Sequence, residues 1–219
     1  QVFRIVSYWE MNGDWPDLEK IAQLAGCRNQ ALFIERYIRI DDQILREEFK
    51  EFDSISIMDE EYPEELLWMY NPPVLLFYEG NIDLLKHPKI AVVGSRRCSR
   101  TGIHSVEKII NELNNELVVV SGLAKGIDAA SHYAAIRNGG KTIGVIGTGL
   151  DVYYPRCNKQ LQKHMSERYL VLTEYGPGQG PQKHHFPERN RIIAGLSRGV
   201  IVAEARMRSG SLITCERAL

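Results

Sequence analysis

From residue 89 onward the apolar positions fall into short, near-continuous runs, over 90–93, 117–120, 142–146, 169–173 and 200–203. Runs of four or five apolar residues without alternation predict strands buried on both faces, hence a parallel sheet with helices on either side. Between the runs the spacing changes to three and four. Val106, Ile109, Ile110 and Leu113 share one face of a helix predicted over 103–114, and a second helix is predicted over 127–137. Strands alternating with helices are the pattern of a doubly wound α/β domain with a mostly parallel sheet.

Upstream the period is helical throughout. Leu18, Ile21, Ala22 and Ala25 recur at three and four, Gly26 interrupts, and Phe33 and Tyr37 fall one turn apart. Asp17 suits the start of the first of these helices and Gly26 the position just past its end. The pattern predicts a small helical domain over 1–70 and the α/β domain over 71–219. Pro72 and Pro73 break the helical pattern, and VLLFYEGN then reads as a short strand with a turn.

At 219 residues and 44% hydrophobic, the chain can bury one substantial core and a small accessory unit. No apolar run nears the roughly 20 residues of a membrane helix, and no signal-like series opens the chain, so a cytoplasmic location without a membrane partner is expected. Cys27, Cys98, Cys157 and Cys215 form no C-x-x-C pair, which predicts free thiols. Gln1 at the start, and a helical pattern still running at SLITCERAL, lead us to expect a longer natural chain.

The net charge of -1 hides a strong asymmetry. Residues 1–88 carry 8 Lys/Arg against 18 Asp/Glu, whereas residues 89–219 carry 19 against 10. A basic half of that kind points either to a polyanionic partner or to two halves that face each other.

In an open α/β sheet, ligands bind beyond the carboxyl ends of the strands. The loops there hold Gly94-Ser95-Arg96-Arg97, Ser121-Gly122 with Lys125, Gly147 to Gly149 with Tyr153 to Lys159, the long stretch GPGQGPQKHHFPERNR, and Arg206 to Ser211. Each mixes small residues with a cation, so phosphates are expected to reach helix amino termini there. Five such loops exceed what a mononucleotide requires.

Dinucleotide binding is disfavoured because the first loop lacks G-x-G-x-x-G and the second strand ends in Ser121-Gly122 instead of an acid. No Walker A loop is present, so no nucleotide cofactor is expected. Gly195-Leu196-Ser197-Arg198-Gly199 matches G-x-S-x-G, but with helix before and strand after, the reverse of a hydrolase elbow. His184-His185 lack a carboxylate or cysteine at ligand spacing, so no metal is expected. Asp128, Glu174 and Glu204 are open between catalytic and structural roles. Phe186, among Lys183, Arg189 and Arg191, is open between a stacking face for single-stranded nucleic acid and a core plug.

Taken as a set and in order, GSRRCSRTG, SGLAKGIDAASH, IGTGLDVYYPRCNK, TEYGPG with HFPERNRIIAGLS, and GVIVAEARMRSGSLIT closely resemble the DNA processing protein A (DprA, or Smf) family. The helical segment is similar to that family's sterile-alpha-motif-like (SAM-like) domain, so the resemblance covers nearly the whole chain. It implies a Rossmann-like fold without a cofactor, and sequence-independent binding of single-stranded DNA rather than enzyme activity. It also implies protection of incoming strands in natural transformation, loading of RecA recombinase, and a homodimer whose interface lies largely beyond Leu219, where many relatives carry a winged-helix domain. DNA-binding positions carried over by motif are Arg96, Arg156, Lys183 and Phe186. To these, loop position adds Gly94, Ser95, Ser121, Gly122, Arg189, Asn190 and Arg191. The alternative is a nucleoside-monophosphate phosphoribohydrolase of the lysine-decarboxylase-like Rossmann group, with Glu204 as acid/base. Arg208-Ser209-Gly210-Ser211 in place of that group's P-G-G-x-G-T loop counts against it.

Overall fold

The structure, a computed structural model, describes residues 13, 16–24, 28–38, 51–113 and 115–205. Two short helices come first, α1 (Leu18–Leu24) and α2 (Gln30–Ile38). Asp17 opens α1 as expected, its Oδ1 accepting from the Lys20 amide at 2.7 Å, and Asn29 does the same for the Leu32 amide of α2 at 3.0 Å. Gly26, expected at the end of α1, lies outside the described residues.

The remainder builds one seven-stranded sheet. Its elements are β1 (Asp53–Ser56), α3 (Glu64–Leu67), β2 (Leu75–Gly80), a 3-10 turn (Ile82–Lys86), β3 (Lys89–Gly94), α4 (Arg100–Glu112), β4 (Val118–Ser121) and α5 (Ile127–Arg137). They continue with β5 (Thr142–Val145), a 3-10 turn (Arg156–Asn158), α6 (Lys159–Arg168), β6 (Leu170–Thr173), α7 (His185–Gly195) and β7 (Val200–Glu204). The strand order is β1-β2-β6-β5-β4-β3-β7. Neighbours from β6 through β7 run parallel, while β2 lies antiparallel to β6 and β1 antiparallel to β2.

The strands from β4 to β6 are buried at every position, as their near-continuous apolar runs predict. Alternate side chains feed opposite layers. Val92, Val119 and Val171 pack with α4, α5 and α6 through Val106, Ile110, Ile127 and Met165. Val93, Val120, Ile143 and Leu172 pack with Ile192 and Ile193 of α7, with Leu196 just after it and with Leu66 of α3. Helices therefore cover both faces.

Strand β1 lies inside the stretch that the pattern assigns to the helical domain, so the chain joins the sheet well before residue 70. Only Ile55 of Asp53-Ser54-Ile55-Ser56 is buried, which leaves an edge strand too short and too polar to register as a hydrophobic run. Strand β2 needs Gly80 to leave the sheet. At φ 105° a side chain there would meet the Tyr169 carbonyl at 2.1 Å, and the same carbonyl accepts from the Asn81 amide at 2.6 Å. Lys89, 1% exposed at the start of β3, is satisfied by the Leu85 carbonyl at 2.5 Å, the His87 carbonyl at 3.1 Å and Glu65 Oε1 at 3.0 Å. It ties the 3-10 turn and α3 to the amino edge of the sheet. Among the described residues no helix is long and apolar enough to cross a membrane.

His132 on α5 is fully buried. Its Nδ1 lies 2.7 Å from Thr142 Oγ1, whose proton goes to the Val119 carbonyl at 2.9 Å, so Nδ1 is the donor and Nε2 stays unprotonated and unpartnered. Burial, helped by the charge of Arg189, lowers its pKa to about 3. The unfolded chain therefore takes up a proton near pH 6.5 that the folded chain refuses. This group costs nothing above that pH and about 1.4 kcal/mol per pH unit as the pH falls toward 3. His132→Asn keeps a donor toward Thr142 and removes the titration. Denaturant melts from about pH 7 to about pH 5 should then lose about 2 kcal/mol less stability than the unmodified chain; equal losses would contradict the assignment.

Candidate nucleic-acid interface

The carboxyl ends of β3 and β7 lie side by side, and beyond them begin the helices α4 and α5. An α/β fold normally receives a phosphate at such helix starts. Here the protein's own carboxylates stand at both. Glu204, at the end of β7, accepts from the Ser99 amide at 2.9 Å and the Ser99 hydroxyl at 2.7 Å through Oε2. A Cβ on Gly102 would meet that oxygen at 2.3 Å, so the carboxylate rests on the first turn of α4, where the helix dipole favours it. Ser99 completes the cap by accepting from the Gly102 amide at 2.9 Å.

Asp128 fills the second position, in the first turn of α5 and only 6% exposed. Burial raises its pKa; the charge of Arg189, the Ala124 amide, the charge of Arg96 and the Gly94 amide all act the other way. Arg189, on α7 and 3% exposed, is lowered by burial to about 10, so it stays protonated at neutral pH and faces Asp128 as a cation. The two meet across Gly122, where a Cβ would sit 2.6 Å from both Arg189 Nη2 and Asp128 Oδ2. Only glycine fits between them.

Several residues expected to touch a ligand are thereby committed inside. Arg189 Nη1 donates to the Gly122 carbonyl at 2.6 Å and to the Val145 carbonyl, and its Nε donates to Asn190 Oδ1 at 3.2 Å. Arg191 pairs with Glu174, their side chains 11% and 15% exposed. Ser121 is fully buried and donates to the Val92 carbonyl at 2.6 Å. The Ser95 carbonyl accepts from the Ile127 amide at 3.2 Å, and its hydroxyl accepts from the Arg97 amide at 3.2 Å. A side chain at Gly94 would strike Ile127 at 2.6 Å. These side chains shape the loops, and carboxylates of the protein itself stand at the starts of α4 and α5. A cation in a loop sequence does not reveal whether it points in or out.

The outward layer is different. Arg96 is exposed at the tip of the β3–α4 loop, with Cζ 5.2 Å from the centroid of the Phe186 ring. Phe186, half-buried in the first turn of α7, rests on Gly147, where a Cβ would meet its ring at 3.2 Å. The Tyr154 ring leans against it with centroids 5.4 Å apart. Behind it, His185 is held by the Gly147 carbonyl at 3.0 Å and stacks on Tyr175 at 3.8 Å. Phe186 is thus anchored from beneath and flanked by a guanidinium and a second ring. Lys125, Arg156 and Lys183 are exposed and make no ion pair among the described residues. Sequence reasoning missed Tyr154 as a site residue; the doubled tyrosine ahead of Pro155-Arg156 was its signal.

Ser197 of the G-x-S-x-G match follows α7 and donates to the Ile193 carbonyl at 2.9 Å, so its hydroxyl caps a helix end. Glu204, the candidate acid/base, is held by Ser99. The loop from Arg206 to Ser211 lies outside the described residues. No group of three His, Cys, Asp or Glu able to hold a metal occurs among the described residues.

Asp128→Ala leaves the Ala124 and Gly94 amides without their buried acceptor and should lower unfolding free energy by about 1–3 kcal/mol in denaturant melts; an unchanged stability would contradict that role.

Comparison with known proteins agrees with this geometry. A family model described as DNA recombination-mediator protein A matches residues 53–219, and one described as the DNA processing protein A sterile alpha motif domain matches residues 1–45. DNA processing protein DprA of Streptococcus pneumoniae is 63% identical over 219 residues, covering 100% of this chain and 78% of that protein. The Bacillus subtilis protein of the same name is 46% identical over 173 residues, or 76% of this chain and 57% of the relative. The X-ray structure of the Streptococcus pneumoniae protein matches with a TM-score of 0.95 over 99% of this chain and 77% of that one. DNA processing protein A of Helicobacter pylori, solved for its single-stranded DNA binding mode, matches at 30% identity with a TM-score of 0.69, covering 76% of each chain. An α/β sheet with its helix starts filled from within, two family models that between them span most of the sequence, and 63% identity along its full length together establish that the chain belongs to the DNA processing protein A family.

Proposed function

We propose that this chain binds single-stranded DNA without sequence preference and without catalysing a reaction, in the handling of strands for recombination and natural transformation. The observation that carries the reading is the division of the carboxyl edge into two layers. Inside, the carboxylates of Asp128 and Glu204 stand at the starts of α5 and α4, where an α/β fold can hold an anion. Outside, Arg96 lies over the ring of Phe186, and Lys125, Arg156 and Lys183 stand exposed without an ion pair among the described residues. Cations that track a backbone beside an aromatic face that any base can stack on are what sequence-independent strand binding requires. The Helicobacter pylori relative, whose single-stranded DNA binding mode has been described, supports the same polymer. Protection of the strand, loading of RecA recombinase and a cytoplasmic homodimer complete the reading, on the strength of the family alone.

Fluorescence anisotropy with a labelled oligothymidine tests it. Four phosphate contacts predict a slope of log affinity against log salt of roughly -3, at about -0.7 per contact. AMP should not compete; displacement by low micromolar AMP, or no binding at any salt, would overturn the proposal. Arg96→Glu should weaken binding to every sequence alike, with an unchanged melting temperature. Phe186→Ala should cost about 1–3 kcal/mol of affinity while leaving the salt slope in place.

A further inference from the structure

The stretch from Val152 to Ser166 contains no Asp or Glu but carries Arg156, Lys159 and Lys163. Asp151, just ahead of it, is turned away, both carboxylate oxygens accepting from the Gly178 amide at 2.9 Å. Lys159 opens α6, and Lys163 follows one helical turn later on the same face. Both side chains converge on one ring, with Lys159 Nζ 4.8 Å and Lys163 Nζ 5.7 Å from the centroid of Tyr153. Glu167 lies a further turn along the helix, at a spacing suited to an ion pair, yet it lies beyond pairing distance from Lys163. Two like charges gathered over one ring, with no carboxylate to neutralise them, repel each other in the free protein and are relieved by an anion.

This strip is joined to the interface already described. Asn158, buried at the start of α6, donates through Nδ2 to the Leu123 carbonyl at 2.9 Å and the Ala124 carbonyl at 3.1 Å. It clamps the segment bearing Arg156 and Lys159 against the β4–α5 loop bearing Lys125. Tyr153 adjoins Tyr154, whose ring meets Phe186. Because α6 follows the carboxyl edge and returns across the sheet to β6, Lys159 stands at the edge and Lys163 one turn down the outer face.

We infer that the bound strand does not end at Arg156 but passes over the carboxyl edge and down the outer face of α6, with backbone phosphates held by Lys159 and Lys163 above Tyr153. The inference rests on the single-stranded DNA reading and extends it, since it assigns a second run of contacts that only a longer strand can reach.

The test compares the unmodified chain with the double variant Lys159→Gln, Lys163→Gln on oligothymidines of increasing length, each across a salt series. For the shortest strand that binds, the two proteins should agree. For long strands the variant should bind more weakly, with a salt slope shallower by roughly 1.4, two contacts at about 0.7 each. Lys86→Gln, which removes a lysine paired with Asp83 at the amino edge, should behave as the unmodified chain at every length. Equal affinities at all lengths, or an equal loss at all lengths, would overturn the α6 path while leaving the Arg96 and Phe186 site standing. Failure of the unmodified chain to bind any oligothymidine would sink both.

Discussion

The buried carboxylate of Asp128, facing the buried Arg189 guanidinium across Gly122, helps hold the carboxyl edge of the sheet in shape. Opposite charges taken out of water are costly unless nearly every polar atom finds a partner. Here Arg189 satisfies the carbonyls that end β4 and β5, and Asp128 faces the amides that leave β3 and β4. Four chain segments therefore meet around these two buried side chains, with Gly122 between them. Carboxylates stand at the starts of two helices of the sheet, Asp128 at α5 and Glu204 at α4.

The outer layer inherits its geometry from the inner one. Phe186 precedes Arg189 by three residues on α7, so the anchoring of the arginine sets the height and tilt of the ring one turn earlier. Arg96 leaves the same loop whose Gly94 amide faces Asp128, and it ends over that ring. Buried charge thus positions exposed charge. Loss of a buried inner charge threatens the fold, whereas the outer cations are exposed and hold no element of the sheet in place.

Much of this was legible in the residues. The strands from β3 to β7 announce themselves as apolar runs because both faces of the sheet are covered, and α5 follows its predicted bounds. Strand β1 was hidden because an edge strand buries one residue in four, and nothing local says that VLLFYEGN pairs antiparallel at the far side of β6. At the site, Arg96, Arg156 and Lys183 read as cations of the carboxyl edge and stand exposed there. Arg189 reads the same way and is buried, because HFPERNR does not reveal which of its arginines enters the gap beside Gly122. Phe186, which the residues leave open between stacking face and plug, is packed on Gly147 on one side and lies beside Arg96 and Tyr154 on the other.

A crystal structure of the chain with bound oligothymidine tests the central claim most directly. With the helix starts filled from within, the strand should lie outside the loops, its phosphates on Arg96, Arg156 and Lys183 and a base against Phe186. The Asp128 carboxylate should remain beside Arg189 and the Glu204 carboxylate on Ser99. A phosphate seated at Gly94 or Gly122 with Asp128 displaced, or a strand bound to a different face of the sheet, would contradict it.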